Sequence, residues 1–227
     1  MRTMIVTMLL PLLALVGVEV FTRTSHVSAT PVTAEQIPAT CRVDGSSRLR
    51  ITEGGRERIL AEPHQFESAK NAGLTAYATL MPEGLDLLVC SEMGNVLHRT
   101  SVPSSELRSC TGILKVRLLS ATRALVELHE NPSADLGLLL DLQTGDRKAY
   151  EGHNFSLSPD GKDIAYFREP QHGIAAGDSA AIYVNTRKLA EVTADSGMSL
   201  RWQSPRTLSV SIRAAAGTEE SYELKPF

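Results

Sequence analysis

The sequence is poor in aromatic residues and has no excess of basic ones. Only 5% of its 227 residues are aromatic, with a single tryptophan, and 23 lysines and arginines stand against 26 aspartates and glutamates. So few rings argue against a stacking platform for carbohydrate or single-stranded nucleic acid. The formal net charge of −3 provides no basic surface for phosphates. Nucleic acid is therefore not an expected partner.

The motifs of known catalytic chemistry are also missing. There is no GxSxG elbow, HExxH pair, phosphate-binding glycine loop or EF-hand pattern in the sequence. The cysteines show neither the CxxC nor the Cys/His spacing of structural zinc, and the acidic residues are scattered. We therefore expect no cofactor and no metal centre, and a non-catalytic protein is favoured over an enzyme.

What the chain does have is an apolar run near its N terminus. Arg2 precedes this run, which extends from Met4 to Val18, and small residues follow at 27–29. A basic start, an apolar stretch and a small-residue cleavage site are typical of a secretory signal. We predict a signal peptide over residues 1–29. The polar stretch between 19 and 26 leaves an uncleaved N-terminal anchor as the alternative.

The rest of the chain is expected to be one exported domain. Residues 30–40 are rich in Thr, Ala and Pro and predict a flexible leader, whereas 41–227 predict a single globular domain. Cleavage of the signal would make the protein periplasmic or secreted. With an anchor, the domain would be attached to a membrane and lie outside the cytoplasm.

Three cysteines lie in the predicted domain, at Cys41, Cys90 and Cys110. In an oxidising compartment this number indicates one disulfide and one remaining cysteine. A Cys90–Cys110 disulfide is preferred because it closes a short loop between neighbouring strands. The sequence leaves the other pairings open.

A turn followed by a strand recurs along the chain. Ser158–Phe167 reads Ser-Pro-Asp-Gly-Lys-Asp-Ile-Ala-Tyr-Phe, and degenerate copies start at Ser68, Ser120 and Ser204. Proline, aspartate and glycine are the residues that a tight turn requires. After each copy come further short apolar segments separated by polar turns, which predict hairpins. A spacing of roughly 40–50 residues with short strands is typical of propeller blades.

The Ser158–Phe167 run resembles the repeat of TolB-type (PD40, WD40-like) β-propellers. The resemblance implies that the turn joins the innermost strand of a blade to the next strand. Ser158, Pro159, Asp160 and Gly161 would then be structural turn residues, and Ser158 would not be a nucleophile.

The predicted fold is all-β, a small propeller of about four blades. The last unit is short, and the hairpin formed by 48–52 and 56–60 would complete it, closing the ring by pairing N- and C-terminal strands. Trp202 is expected to pack between blades. A two-sheet β-sandwich is the alternative.

Several polar residues are predicted to share one face of this propeller. Loops between second and third strands, and connections between blades, open on the same side, where functional residues are often found. The candidate binding residues there are His129, Glu130, Asn131, His153, Asn154, His172 and Asp178.

The favoured function is binding of a protein or cell-envelope component through this face, without catalysis. The alternative is a metal-dependent hydrolase or lyase that uses the same histidines with nearby carboxylates. Membrane association is expected only if the N-terminal segment is uncleaved.

Overall fold

The computed structural model describes residues 39–107, 109–130, 134–168, 179–193, 198–213 and 219–226. In these ranges the chain forms four antiparallel sheets in which strands pair with their neighbours in sequence order. The predicted all-β class is confirmed. The described residues contain no helix that is long and apolar enough to cross a membrane.

The first sheet has three strands. They are β1 (Thr40–Val43), β2 (Leu49–Glu53) and β3 (Arg56–Ala61). The tight turn between β2 and β3 has Gly54 and Gly55 at φ values of +57° and +75°, which glycine adopts without steric cost. This is the hairpin that the sequence predicted.

The second sheet has four strands and is followed by one 3₁₀ turn. The strands are β4 (Phe66–Asn71), β5 (Leu74–Met81), β6 (Gly84–Ser91) and β7 (Val96–Pro103), and the turn is Ser104–Glu106.

The third sheet has seven strands and combines two four-stranded units. Its strands are β8 (Cys110–Ser120), β9 (Arg123–Glu130), β10 (Ala134–Asp141), β11 (Arg147–Leu157), β12 (Ile164–Arg168), β13 (Ser179–Val184) and β14 (Arg187–Thr193). The two units share β11. Residues 147–152 of β11 pair with β10, whereas 153–157 pair with β12.

The fourth sheet again has three strands. They are β15 (Met198–Ser204), β16 (Thr207–Arg213) and β17 (Glu219–Leu224). With β11 counted in both of its units, the described chain is a series of five antiparallel units, each of three or four strands. Such a series is the arrangement of propeller blades. The N-terminal sheet is the unit that the predicted four repeats did not include.

The four turns of the predicted repeat each join the first strand of a unit to its second strand. In the clearest copy, Gly161 N donates to Ser158 O at 2.8 Å, and Asp163 N donates to Ser158 Oγ at 2.9 Å. Gly161 has a φ of +68°, and the Ser158 hydroxyl donates to Asp160 Oδ1 at 2.7 Å. Hydrogen bonds from Ser158 and the backbone lower the pKa of the Asp160 carboxyl.

The N-terminal sheet does not pair with the C-terminal strands, so the predicted closure is wrong for the described residues. Instead, β1 lies against the β6–β7 turn. Cys41 N donates to Gly94 O at 2.7 Å, and Val96 N donates to Ala39 O at 2.8 Å. These hydrogen bonds hold the β1–β3 sheet against the sheet that follows it in the sequence.

This docking also determines which two cysteines form the disulfide. Cys41 is bonded to Cys90, with 6.6 Å between their Cα atoms, so the predicted Cys90–Cys110 disulfide is wrong. Cys110 starts β8 of the third sheet, where it lies in register with Glu130 of β9. Proximity along the sequence favoured Cys110, but the hydrogen bonds of β1 place Cys41 beside Cys90.

Neighbouring units are joined by both apolar packing and hydrogen bonds. Trp202 is buried in a core that combines residues of β12, β13 and β16, including Phe167 and Leu208. The Trp202 indole donates to Ser156 O at 3.1 Å. The expected position of Trp202 between units is confirmed.

Candidate functional site

Two of the predicted histidines and one aspartate come together at one end of the strands. His129 is the penultimate residue of β9, and it lies in register with Asp135 near the start of β10. Asp135 is in turn in register with Gly152 of β11, the residue before His153. The hairpin and the shared strand β11 thus place His129 and His153 on either side of one carboxylate.

The geometry of this histidine cluster (His129, Asp135 and His153) is defined by two hydrogen bonds. His129 Nδ1 lies 3.1 Å from Asp135 Oδ1, and His153 Nδ1 lies 2.8 Å from Asp135 Oδ2. The side chain of Asp135 is 18% exposed, whereas those of His129 and His153 are 52% and 26% exposed. The carboxylate is held inside the cluster, and the His129 ring is the most exposed of the three side chains.

The protonation of the rings follows from their shared partner. An ionised carboxylate only accepts hydrogen bonds, so each Nδ1 must carry the proton. In the neutral imidazole, Nε2 is then an acceptor. The cluster can accept a hydrogen bond from a ligand through Nε2 of His129, whose ring orientation is fixed by Asp135.

We expect both rings, when neutral, to be Nδ1–H tautomers in the wild-type protein. In Asp135→Ala the hydrogen bond that selects this tautomer at His129 is lost, so the His129 ring should become a tautomer mixture like free histidine. Long-range ¹H–¹⁵N correlation spectra report the tautomer directly. Nε2–H tautomers in the wild-type protein, or an unchanged His129 ring in Asp135→Ala, would contradict the assignment.

Of the other predicted face residues, Glu130 and Asn154 are described by the structure and do not join the cluster. Glu130 ends β9 and lies in register with Ala134 and Cys110. Asn154 has a φ of +54°, and its Nδ2 donates to Met198 O of β15 at 2.9 Å. Asn154 therefore ties two units together. Asn131, His172 and Asp178 lie outside the described residues.

Asp135 is the functional candidate that the sequence analysis did not select. An acid six residues after a histidine has no recognisable spacing of its own. Only the register of β9 and β10 makes these two residues direct cross-strand neighbours. The sequence feature that could have pointed to Asp135 was the short connection between two apolar strands, because such a connection brings the residues at its two ends together.

A metal centre is not formed by this cluster alone. In the part of the chain that the structure describes, no three His, Cys, Asp or Glu side chains are placed to hold one ion. A carboxylate bonded to the Nδ1 atoms is the outer partner that orients metal-ligating histidines in many sites. Here the described residues place only His129 and His153 beside this carboxylate, without a third side chain positioned to bind the same ion.

No family model matches the sequence, and no curated protein matches it. Solved structures give weak likenesses. The tricorn protease aligns at a TM-score of 0.44 and 14% identity, over 81% of this chain and 20% of the protease. The β-propeller domain of the trilobed protease from Pyrococcus furiosus also aligns at 0.44 and 14%, over 71% of this chain and 57% of that one.

TolB from Acinetobacter baumannii aligns at a TM-score of 0.42 and 13% identity, over 84% of this chain and 56% of TolB. The chain thus spans less than two thirds of each of these three proteins. At TM-scores below 0.5, these likenesses assign neither a family nor a function to the chain.

Proposed function

We propose that the protein is an exported, non-catalytic binding protein that engages a protein or cell-envelope component through the end of its sheets carrying the histidine cluster. The observation that supports this most directly is the pair of hydrogen bonds from His129 and His153 to Asp135. Two partly exposed imidazoles are preorganised there on strands, so a partner gains their contacts with little ordering cost.

The ligand chemistry follows from the tautomers. Nε2 of the half-exposed His129 ring accepts hydrogen bonds from hydroxyl, amide or ammonium groups of a partner.

Export is supported by the N-terminal segment and by the disulfide. Residues 1–29 have the layout of a secretory signal. The Cys41–Cys90 disulfide is of the kind that persists in oxidising compartments. We also propose that the repeats are of the TolB type, because Ser158–Gly161 has the residues of that repeat and forms the hydrogen-bonded turn that the resemblance implies.

The test is affinity capture from an envelope extract of the native host, with three baits. Wild-type protein should retain a specific partner, and a His129→Ala/His153→Ala double variant should lose it. His98→Ala is the matched control, because His98 lies on β7 of another sheet, and it should retain the partner. A partner kept by the double variant, or none captured by the wild type, would contradict the proposal.

A further inference from the structure

The outer edge of β7 carries the start of a strand ladder. β7 is the last strand of its sheet, and among the described residues its outer edge pairs only through an isolated antiparallel bridge, between Thr40 and Asn95. Beside this bridge Val96 N donates to Ala39 O at 2.8 Å, as in a regular antiparallel pair. Ala39 is the first described residue, so the chain that precedes it joins the described structure at this edge.

Further along β7, backbone groups on the same edge have no backbone partner among the described residues. Ser104 N donates to Glu83 O at 2.9 Å, so Pro103 lies opposite β6 in a pair without mutual hydrogen bonds. Bonded and non-bonded pairs alternate along an antiparallel ladder. The N–H and C=O groups of Arg99 and Ser101 therefore point away from β6, toward the outer edge.

An exposed apolar side chain lies on the same strand between the bridge and these open groups. Leu97 is 49% exposed. The register of β7 with β6 shifts between Val96 and His98, which leaves Leu97 as the extra residue of a bulge. The chain at the bridge is antiparallel to β7. An extended chain that continues β1 in the N-terminal direction therefore passes beside Leu97 and then reaches Arg99 and Ser101.

The residues that precede Ala39 suit an edge strand. Residues 32–37 read Val-Thr-Ala-Glu-Gln-Ile and include three β-branched residues, which favour strands. Ala39 O faces β7, and backbone groups alternate in direction along a strand, so those of Pro38 would face away from β7. The N–H that proline lacks is not needed there. Pro31 would face the edge in the same alternation and end the ladder.

We propose that residues 32–38 form a strand that leads into β1 and pairs antiparallel with the outer edge of β7. Ile37 then lies opposite Arg99 and Glu35 opposite Ser101, and each pair exchanges two main-chain hydrogen bonds. The edge is closed by the chain itself, which protects it against pairing with other molecules. Most of the predicted leader is thereby a strand of the domain.

Covalent attachment favours this occupant over a strand from another molecule. The segment is held beside the edge by the contact between Ala39 and Val96, at an effective concentration on the order of millimolar. A second copy or a partner strand would have to displace it from all of the open groups at once. The edge is therefore assigned to the chain's own N-terminal segment.

Amide hydrogen exchange of the full chain, followed by NMR, tests the assignment. The amides of Thr100 and Val102 face β6 and serve as internal references. We expect the amides of Arg99 and Ser101, which face the outer edge, to be protected as well. In the leader, the amides of residues 33, 35 and 37 should exchange slowly, and those of residues 34 and 36 rapidly.

Two proline variants of the full chain locate the contact. Glu35→Pro removes an N–H that faces β7 and puts the proline ring in its place, so it should speed exchange at Ser101 by at least about tenfold. Gln36→Pro is the matched control, because the N–H that it removes faces away from β7. It should change exchange at Ser101 much less.

Rapid exchange at both Arg99 and Ser101 in the wild-type protein would overturn the proposal, and so would equal effects of the two proline variants. Protection of Ser101 that persists in Glu35→Pro would overturn it too. If that protection rises with protein concentration, the edge belongs to a second copy of the chain.

Discussion

Replacing both Cys41 and Cys90 by serine is expected to lower the free energy of unfolding by about 4 kcal/mol, because the disulfide closes a loop of about 50 residues in the unfolded chain. The two cysteines are 49 positions apart. The variant should also loosen the docking of β1, which would then be held to the β6–β7 turn by its backbone hydrogen bonds alone among the contacts described above. Denaturant unfolding of the oxidised proteins measures the loss.

Cys110→Ser is the matched control for the disulfide. It leaves the Cys41–Cys90 bond intact, so its unfolding free energy should stay much closer to that of the wild type. Peptide mapping without reduction should recover Cys41 linked to Cys90. A large loss in Cys110→Ser with little loss in the double variant would restore the Cys90–Cys110 pairing and contradict the structure.

Gly152→Ala is expected to cost about 3 kcal/mol of stability, since an added methyl group would have to displace backbone. A Cβ at Gly152 would lie 2.1 Å from Phe167 O and 2.6 Å from a ring carbon of Tyr166. This is the point where β11 passes from one unit to the next. Any shift there moves His153, so the variant should also perturb the ring signals of the histidine cluster.

Gly112→Ala provides the comparison. Gly112 lies in β8, and a Cβ there would meet no atom within 4 Å. Its unfolding free energy should change by less than about 0.5 kcal/mol. Thermal or urea unfolding of the two variants side by side checks the difference. Equal stabilities would contradict the close approach of β11 and β12.

Local chemistry made the turns predictable. Ser158, Pro159, Asp160 and Gly161 each satisfy a need of the turn itself, so their pattern indicates structure without knowledge of the rest of the chain. The degenerate copies also work locally. Ser120 Oγ and Ser204 Oγ accept hydrogen bonds from Thr122 N and Arg206 N, both at 3.2 Å.

The first unit was missed because another residue builds its turn. Asp44 Oδ1 accepts hydrogen bonds from Ser46 N at 2.9 Å and Arg48 N at 3.0 Å. The Arg50 guanidinium lies 2.6 Å from Asp44 Oδ2, and this contact lowers the pKa of the Asp44 carboxyl well below its usual range. The Arg48 side chain also lies 3.1 Å from Asp44 Oδ2. A turn built on an aspartate that pairs with two arginines does not resemble Ser-Pro-Asp-Gly.

Contacts between distant parts of the chain were not predictable in this way. The pairing of Cys41 with Cys90 depends on where β1 docks, and the role of Asp135 depends on the register of β9 and β10. His129 and His153 were proposed from their loops, and the structure brings them together. The role of Asp135, the carboxylate that orients both rings, could be predicted only from the pairing of β9 with β10.

The central claim is that partners bind at the end of the sheets that carries the histidine cluster. Hydrogen–deuterium exchange of the protein with and without its captured partner tests it most directly. We predict protection in peptides covering residues 127–136 and 150–155. Protection confined to the turns at the opposite strand ends, 71–74, 120–123, 158–161 and 204–207, would contradict the claim.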